Sequence, residues 1–292
     1  MAFFLTVLIT GLSYGCAIAL AAYSFMLPLK ATGIVSFAQG DFISLSAFIA
    51  AWFIADKGLN WSVGYIATIF VMFGLGVIFE RITHSPLRGR PVDEVIIATL
   101  GVSFIIRGFI SRWRGAGPQQ LESPLRGKFF EVFGAAISYQ RLFIIVATIA
   151  ITGLLYWVFQ KTSVGLQLRA LASDPEVAKL HGVATRRLAM MAFGSSAAMS
   201  GICGILVGSL ASFDIGLGFS IMLGGFCAAI IGGWGSLVGA LVGGLLLGLI
   251  EFLFGSYYFS NFRHLLPLFF LFVFIAARSR GIFKGAESYG RL

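Results

Sequence analysis

The sequence predicts an all-α, polytopic transmembrane bundle of about eight or nine helical spans, and three observations carry that prediction. Hydrophobic residues make up 58% of the 292-residue chain and charged residues only 11%, against roughly 25% charged in soluble proteins. So little charge cannot solvate a surface of this size in water. The apolar residues fall in long runs, and at roughly 20 residues per crossing the length leaves room for about eight to ten. Glycine is abundant, 37 residues against 7 prolines, as expected where membrane helices pack backbone to backbone. Residues 1–292 read as one transmembrane domain.

The first apolar run, 3–27, has no Lys or Arg ahead of it, and the first positive charge is Lys30. A secretory signal needs a basic region in front, so this run is expected to be an uncleaved first span with its amino end outside. Pro28 and Gly33 are expected to break the helix, after which the chain re-enters apolar sequence through Ser36, Gln39 and Asp41. Broken helices at membrane depth are tolerated only against protein or a wet cavity. Ser36, Gln39 and Asp41 are therefore candidates for lining or bracing a translocation path. The competing reading is an ordinary turn in which Asp41 caps the next helix.

Further runs follow at 41–55, 61–79 and 95–111. The first is short for a crossing, as is a later run at 219–232, so either is a candidate re-entrant segment. The connection 112–140 mixes Gly, Pro, Gln and both signs of charge, with amphipathic character in Phe129, Phe130, Val132 and Phe133. After the run 142–159 comes a second long connection, 160–187. Its Leu166, Leu168, Leu171, Val177, Leu180 and Val183 are spaced for helix and interrupted by Ser173-Asp174-Pro175. Ser173 or Asp174 can cap a helix that starts at Pro175, where the missing N–H is no loss. Glu176 complements the positive end of its dipole, and Gly182 can stop it. The residues alone leave open whether this short helix meets a partner or lies on the membrane surface. The runs 188–211, 219–232, 236–254 and 264–277 complete the chain.

Nine crossings with the amino end outside place the carboxyl end inside. Thirteen Lys and Arg then fall inside and seven outside, in agreement with the positive-inside rule. The outer set includes Arg112, Arg114, Arg126 and Lys128, opposed only by Glu122 and Glu131; lipid headgroups are one explanation for that cluster.

Other classes lack their chemistry. The net charge of +9 comes from basic residues flanking apolar runs, unlike the aromatic-interleaved face of a nucleic-acid binder. Cys16, Cys203 and Cys227 form neither a metal pair nor a disulfide framework, and His84, His181 and His264 are isolated, so no metal site is expected. There is no phosphate loop and no catalytic cluster, so the chain is not expected to be an enzyme. Asp41, Arg107 and Glu251 lie near span ends, where side chains can snorkel to water. Such sparse intramembrane charge argues against an ion-driven carrier. A secondary carrier or channel working without an ATPase remains the alternative. Near the carboxyl end, Gly235, Gly239 and Gly243 share one helical stripe and Gly244 and Gly248 another, a spacing that predicts close helix packing.

Four blocks resemble the permease subunits of bacterial ABC importers of the branched-chain amino acid family. They are Gly33-Ile34-Val35-Ser36-Phe37-Ala38-Gln39-Gly40-Asp41, Ala98-Thr99-Leu100-Gly101-Val102-Ser103, the spaced set Gly165, Arg169, Ala170, Asp174, Ala178, Gly182 and Val183, and the glycine-rich stretch Gly232 to Glu251. Their order and spacing cover most of the chain. Ser36 stands where the family usually has Asn, and Gln39 where it usually has His. The resemblance implies a transport subunit of the bacterial cytoplasmic membrane for branched-chain amino acids, related amino acids, short amides or urea. It implies a second permease, homologous or identical, two cytoplasmic ATPases that carry ATP and Mg, and a periplasmic binding protein. It makes 160–187 a cytoplasmic coupling segment, with Arg169, Asp174, Glu176, Ala178 and Gly182 as the coupling set. It also makes 112–140 a periplasmic loop whose Arg112 and Arg114 dock the binding protein.

Overall fold

Helix α1 runs Ala2–Thr32 through the centre of the bundle, and from Gly15 to Leu29 every residue is buried. In the computed structural model, which describes residues 2–33, 35–115, 117–123, 125, 127–132, 134–173, 175–257 and 266–277, α1 packs against α5 (Tyr139–Lys161), α8 (Thr185–Gly208), α9 (Leu217–Gly232) and α10 (Leu237–Tyr257). The helix is not broken at Pro28, contrary to expectation. Proline cannot donate the i→i−4 hydrogen bond to Ser24, but the Ser24 carbonyl accepts instead from the Ser196 hydroxyl of α8. Gly33, at φ +74°, ends the helix, whose last residue, Thr32, lies five residues beyond the apolar run.

Helix α2 (Gln39–Ala51) is buried all round, as a helix without a polar face must be. It lies between α8 and α9, and continues as a π-helical turn, Trp52–Asp56. Two glycines permit the approach. A Cβ on Gly204 or Gly218 would strike the α2 backbone at Ile43 or Gly40. Helix α3 (Trp61–Phe79) matches its expected run and extends through a π turn, Glu80–His84. Helix α4 is Val92–Arg114. Both expose large apolar side chains outward, Phe70 at 73% and Phe104 at 70%, and on this scale only hydrocarbon or another protein can cover them.

Among the described residues, six helices are long and apolar enough to cross a membrane: α1, α3, α4, α5, α8 and α10. The protein is an α-helical multi-pass membrane protein. Shorter apolar helices are α2, α9 and α11 (Leu266–Ala277).

The connection 112–140 holds one small departure from all-helical structure. Strands β1 (Phe129–Val132) and β2 (Ala135–Ser138) pair antiparallel around Gly134, at φ +77°. The hairpin sits by the start of α1, and Gln119 and Phe213 exchange backbone hydrogen bonds of 2.8 and 2.9 Å. Helices α6 (Ser163–Ser173) and α7 (Pro175–Leu180) occupy the opposite end of α5. The two long connections thus lie on opposite faces. Arg126, Arg263 and the tail 278–292, which bear on the charge bias, are outside the described residues.

Candidate functional site: a buried polar cluster beside the α1–α2 break

Helix α1 ends at Thr32, and α2 starts at Gln39 inside the bundle, where Ser36, Ala38 and Gln39 are buried. Helix α2 carries no side-chain cap. Asp41 does not cap it; its carboxylate turns to α4, where Oδ1 accepts a 2.6 Å hydrogen bond from Arg107 Nε and Oδ2 accepts one from the Ser103 hydroxyl. The Arg107 guanidinium also lies 5.3 Å from the Phe219 ring centroid of α9. Thr99 accepts from the Phe37 N–H at 3.3 Å. Thr99, Ser103 and Arg107 recur every four residues, so one face of α4 serves the whole segment.

Asp41 is 1% exposed and Glu251 2%, so neither snorkels to water as the span-end reading expected. The reason is the break itself: α2 begins well inside the bundle, and Asp41 meets a cation there. Gln39 is fully buried and its Oε1 accepts from Ser200 at 3.1 Å. Its Nε2 and the buried Ser36 hydroxyl have no hydrogen-bond partner among the described residues. Unsatisfied polar atoms are expensive at membrane depth. The segment therefore combines a compensated ion pair with two unused polar groups, which can hydrogen-bond a polar solute.

Sequence alone assigns neither Ser103 nor Ser200 to this segment, and it places Arg107 only near a span end. The 99/103/107 stripe was visible, but its partner lies more than 60 residues away.

The α6–α7 pair follows the expected capped pattern at its end. Gly182 has φ +77°, its N–H donates to Lys179 O, and the Val183 N–H donates to Ala178 O. This double bond pattern closes a helix with a left-handed residue. Arg169 is exposed and donates to Gln160 Oε1 at 3.0 Å. Ala178 is 4% exposed and packs into this chain's own core, so its small size serves internal packing. Asp174 lies outside the described residues, and Glu176 is placed only as a residue of α7. Leu180, absent from the expected set, is 85% exposed and Val177 47%.

The glycine stretch divides in two. A Cβ on Gly244 would stand 2.8 Å from Gly15 O and from Ala19 N, and one on Gly248 would strike the Gly15 backbone, so this pair faces α1. Gly239 and Gly243 face α9 at Gly232 and Ala228. Gly235 does not pack; it sits before α10 at φ +90°, with nothing within 4 Å of its Cβ position. Its place in the stripe is explained by turn geometry instead.

Of the two arginines at the end of α4, Arg112 is exposed. Arg114 is committed internally, to an ion pair with Asp56 and a 3.3 Å hydrogen bond to Gln119 Oε1.

The family model described as "Branched-chain amino acid transport system / permease component" matches residues 7–277. The chain is similar to the high-affinity branched-chain amino acid transport system permease protein LivH of Salmonella typhimurium, at 26% identity over 98% of this chain and 97% of that one. The corresponding protein BraD of Pseudomonas aeruginosa is 27% identical, with 97% of each chain covered. Among solved structures, PsaBC from Streptococcus pneumoniae in complex with Fab shares the fold, with a TM-score of 0.51 at 14% identity over 94% of this chain and 91% of that one.

Proposed function

This chain belongs to the branched-chain amino acid transport system / permease component family, and from that premise we propose that it is one membrane half of an ATP-driven importer for branched-chain amino acids in a bacterial cytoplasmic membrane. The match through 7–277, running across the polar segment and the α6–α7 pair, carries the reading. The chain pairs with a second permease, homologous or identical. Two cytoplasmic ATPases bind ATP and Mg, and a periplasmic binding protein delivers cargo. Adding α2 with its π turn, α9 and α11 to the six long helices gives nine crossings, with the amino end outside and the carboxyl end inside. That topology puts 112–140 in the periplasm and 160–187 in the cytoplasm, and the charge bias supports it. Ser36, Gln39 and Asp41, with Arg107, flank the translocation path. Because Ser36 and Gln39 depart from the commoner residues, related amino acids, short amides and urea stay within the cargo range.

Coupling falls to Arg169, Asp174, Glu176, Ala178 and Gly182, joined by Leu180. An apolar side chain 85% exposed on a short, stopped helix supports docking into an ATPase groove. Leu180→Asp should leave insertion and yield unchanged while cutting substrate-stimulated ATP hydrolysis of the reconstituted complex at least tenfold. Wild-type stimulation in that variant would remove α7 from the coupling path.

Binding-protein docking falls to Arg112, since Arg114 is occupied by Asp56. Rim charges chiefly set association rate and its salt dependence. Arg112→Gln should slow capture of the loaded binding protein and flatten the salt slope, with basal ATP hydrolysis intact. Unaltered capture kinetics would return this residue to the lipid-headgroup explanation.

A further inference from the structure

A recessed groove of about 580 Å³ opens on the outer face of the bundle between α2, α3 and α4. Its lining is apolar apart from Thr83 and includes none of Asp41, Ser103 and Arg107, although Phe42, Val102 and Ile106 adjoin them in the chain. Phe42 and Leu45 of the buried helix α2 form part of its floor, and Leu75 of α3 part of one wall. Along α2 and its π turn it extends from Phe42 to Phe53, and along α4 from Val102 to Trp113. At 1.5 Å per residue each stretch is about 17 Å, close to the roughly 15 Å of a single leaflet in a hydrocarbon core about 30 Å thick.

One end is chemically distinct. Trp52 and Trp113 close it, ring centroids 5.8 Å apart, and indoles of this kind gather at the headgroup level of membranes. A cation lies over each: Lys57 Nζ 5.1 Å from the Trp52 ring centroid, and the Arg114 guanidinium 5.7 Å from that of Trp113. Asp56 neutralises Arg114. Lys57 is exposed and forms no ion pair among the described residues, so the mouth carries a net positive charge.

We propose that this groove is a phospholipid site, with one acyl chain lying along α2 and α4 and the phosphate held at Lys57. Three features select that occupant over a second protein: a length of about one leaflet, a lining apolar but for Thr83, and one cation unpaired among the described residues, Lys57, over the aromatic pair. A hollow on a membrane-facing surface forfeits dispersion contacts unless hydrocarbon fills it, and a flexible chain does so without a complementary protein surface. A free fatty acid shares the anionic-head-plus-chain chemistry, and identifying the retained lipid separates the two.

The full chain is reconstituted in phosphatidylcholine vesicles containing increasing phosphatidylglycerol brominated at the middle of its acyl chains. Two versions are compared, one keeping only Trp113 and the other keeping only Trp157, which is 57% exposed on α5. Trp113 should be half-quenched at a brominated-lipid fraction at least fivefold below that for Trp157. Lys57→Gln should lower this preference for phosphatidylglycerol over equally brominated phosphatidylcholine at least threefold. The unaltered chain purified in mild detergent should retain about one phospholipid per chain, which guards against failure of the single-tryptophan versions to fold. Equal quenching at the two sites would overturn the proposal. So would protection of Trp113 from every brominated lipid, which would place a second copy of this chain over the groove. Retention of fatty acid in place of phospholipid, or Lys57→Gln without effect, would overturn the headgroup assignment.

Discussion

Gly244→Leu is expected to abolish folded protein in the membrane, the largest stability effect of any single change considered. A mere Cβ at this position would stand 2.8 Å from Gly15 O, 2.8 Å from Ala19 N and 2.9 Å from Ala19 Cβ. Two of those three atoms are backbone of the central helix, so no rotamer change relieves the contact; α10 must move away from α1. Overpacking a core with flexible neighbours already costs about 1–3 kcal/mol, and a rigid neighbour puts this case at or above the upper figure. Membrane helices have no hydrophobic drive to reassociate once separated by lipid. Gly153→Leu is the control, because Gly153 on α5 has nothing within 4 Å of its Cβ position. Heating membranes and measuring the monodisperse fraction after extraction should show Gly153→Leu near wild type and Gly244→Leu absent. Comparable survival of the two would show that the α1–α10 contact does not hold the bundle together.

Asp41→Ala is expected to reduce transport at least tenfold and to destabilise the chain by about 3 kcal/mol. Removing one member of a buried pair leaves the other uncompensated, which costs about 3–5 kcal/mol. The low end applies because the Arg107 side chain is 35% exposed while Asp41 is 1%. Thr99, Ser103 and Arg107 hold the broken segment through one face of α4, so losing Asp41 also frees that segment. The double variant Asp41→Leu with Arg107→Leu should regain most of the stability, as apolar replacement of buried pairs often does, while transport stays low. Recovery of both stability and transport in the double variant would make the pair purely structural. Wild-type uptake by Asp41→Ala would take the cluster out of the path altogether.

Much of the fold was legible because the bilayer imposes it: a helix must satisfy its own backbone and present apolar residues for about 30 Å. The run 61–79 is α3, and the short runs at 41–55 and 219–232 are buried helices lying against neighbours. What local sequence does not carry is the identity of the neighbour. Pro28 looked like a break because the donor that rescues the Ser24 carbonyl, Ser196, is 172 residues away. Asp41 and Arg107 looked like snorkelling span ends because their mutual approach depends on where α2 starts. Gly235 fell on a four-residue spacing with Gly239 and Gly243, yet α10 begins only after it, at Leu237. The helix stop at Gly182, by contrast, is wholly local and was readable from the glycine alone.

ATP-driven transport through this chain is measured in proteoliposomes holding the chain, its permease partner and the ATPase pair. The binding protein is added on the outer side, and uptake of labelled leucine, isoleucine and valine is measured. Accumulation is expected to require both ATP on the ATPase side and the binding protein, and to persist when proton and sodium gradients are collapsed. Accumulation by the chain alone, driven by an ion gradient without ATP, would contradict ATP-driven transport.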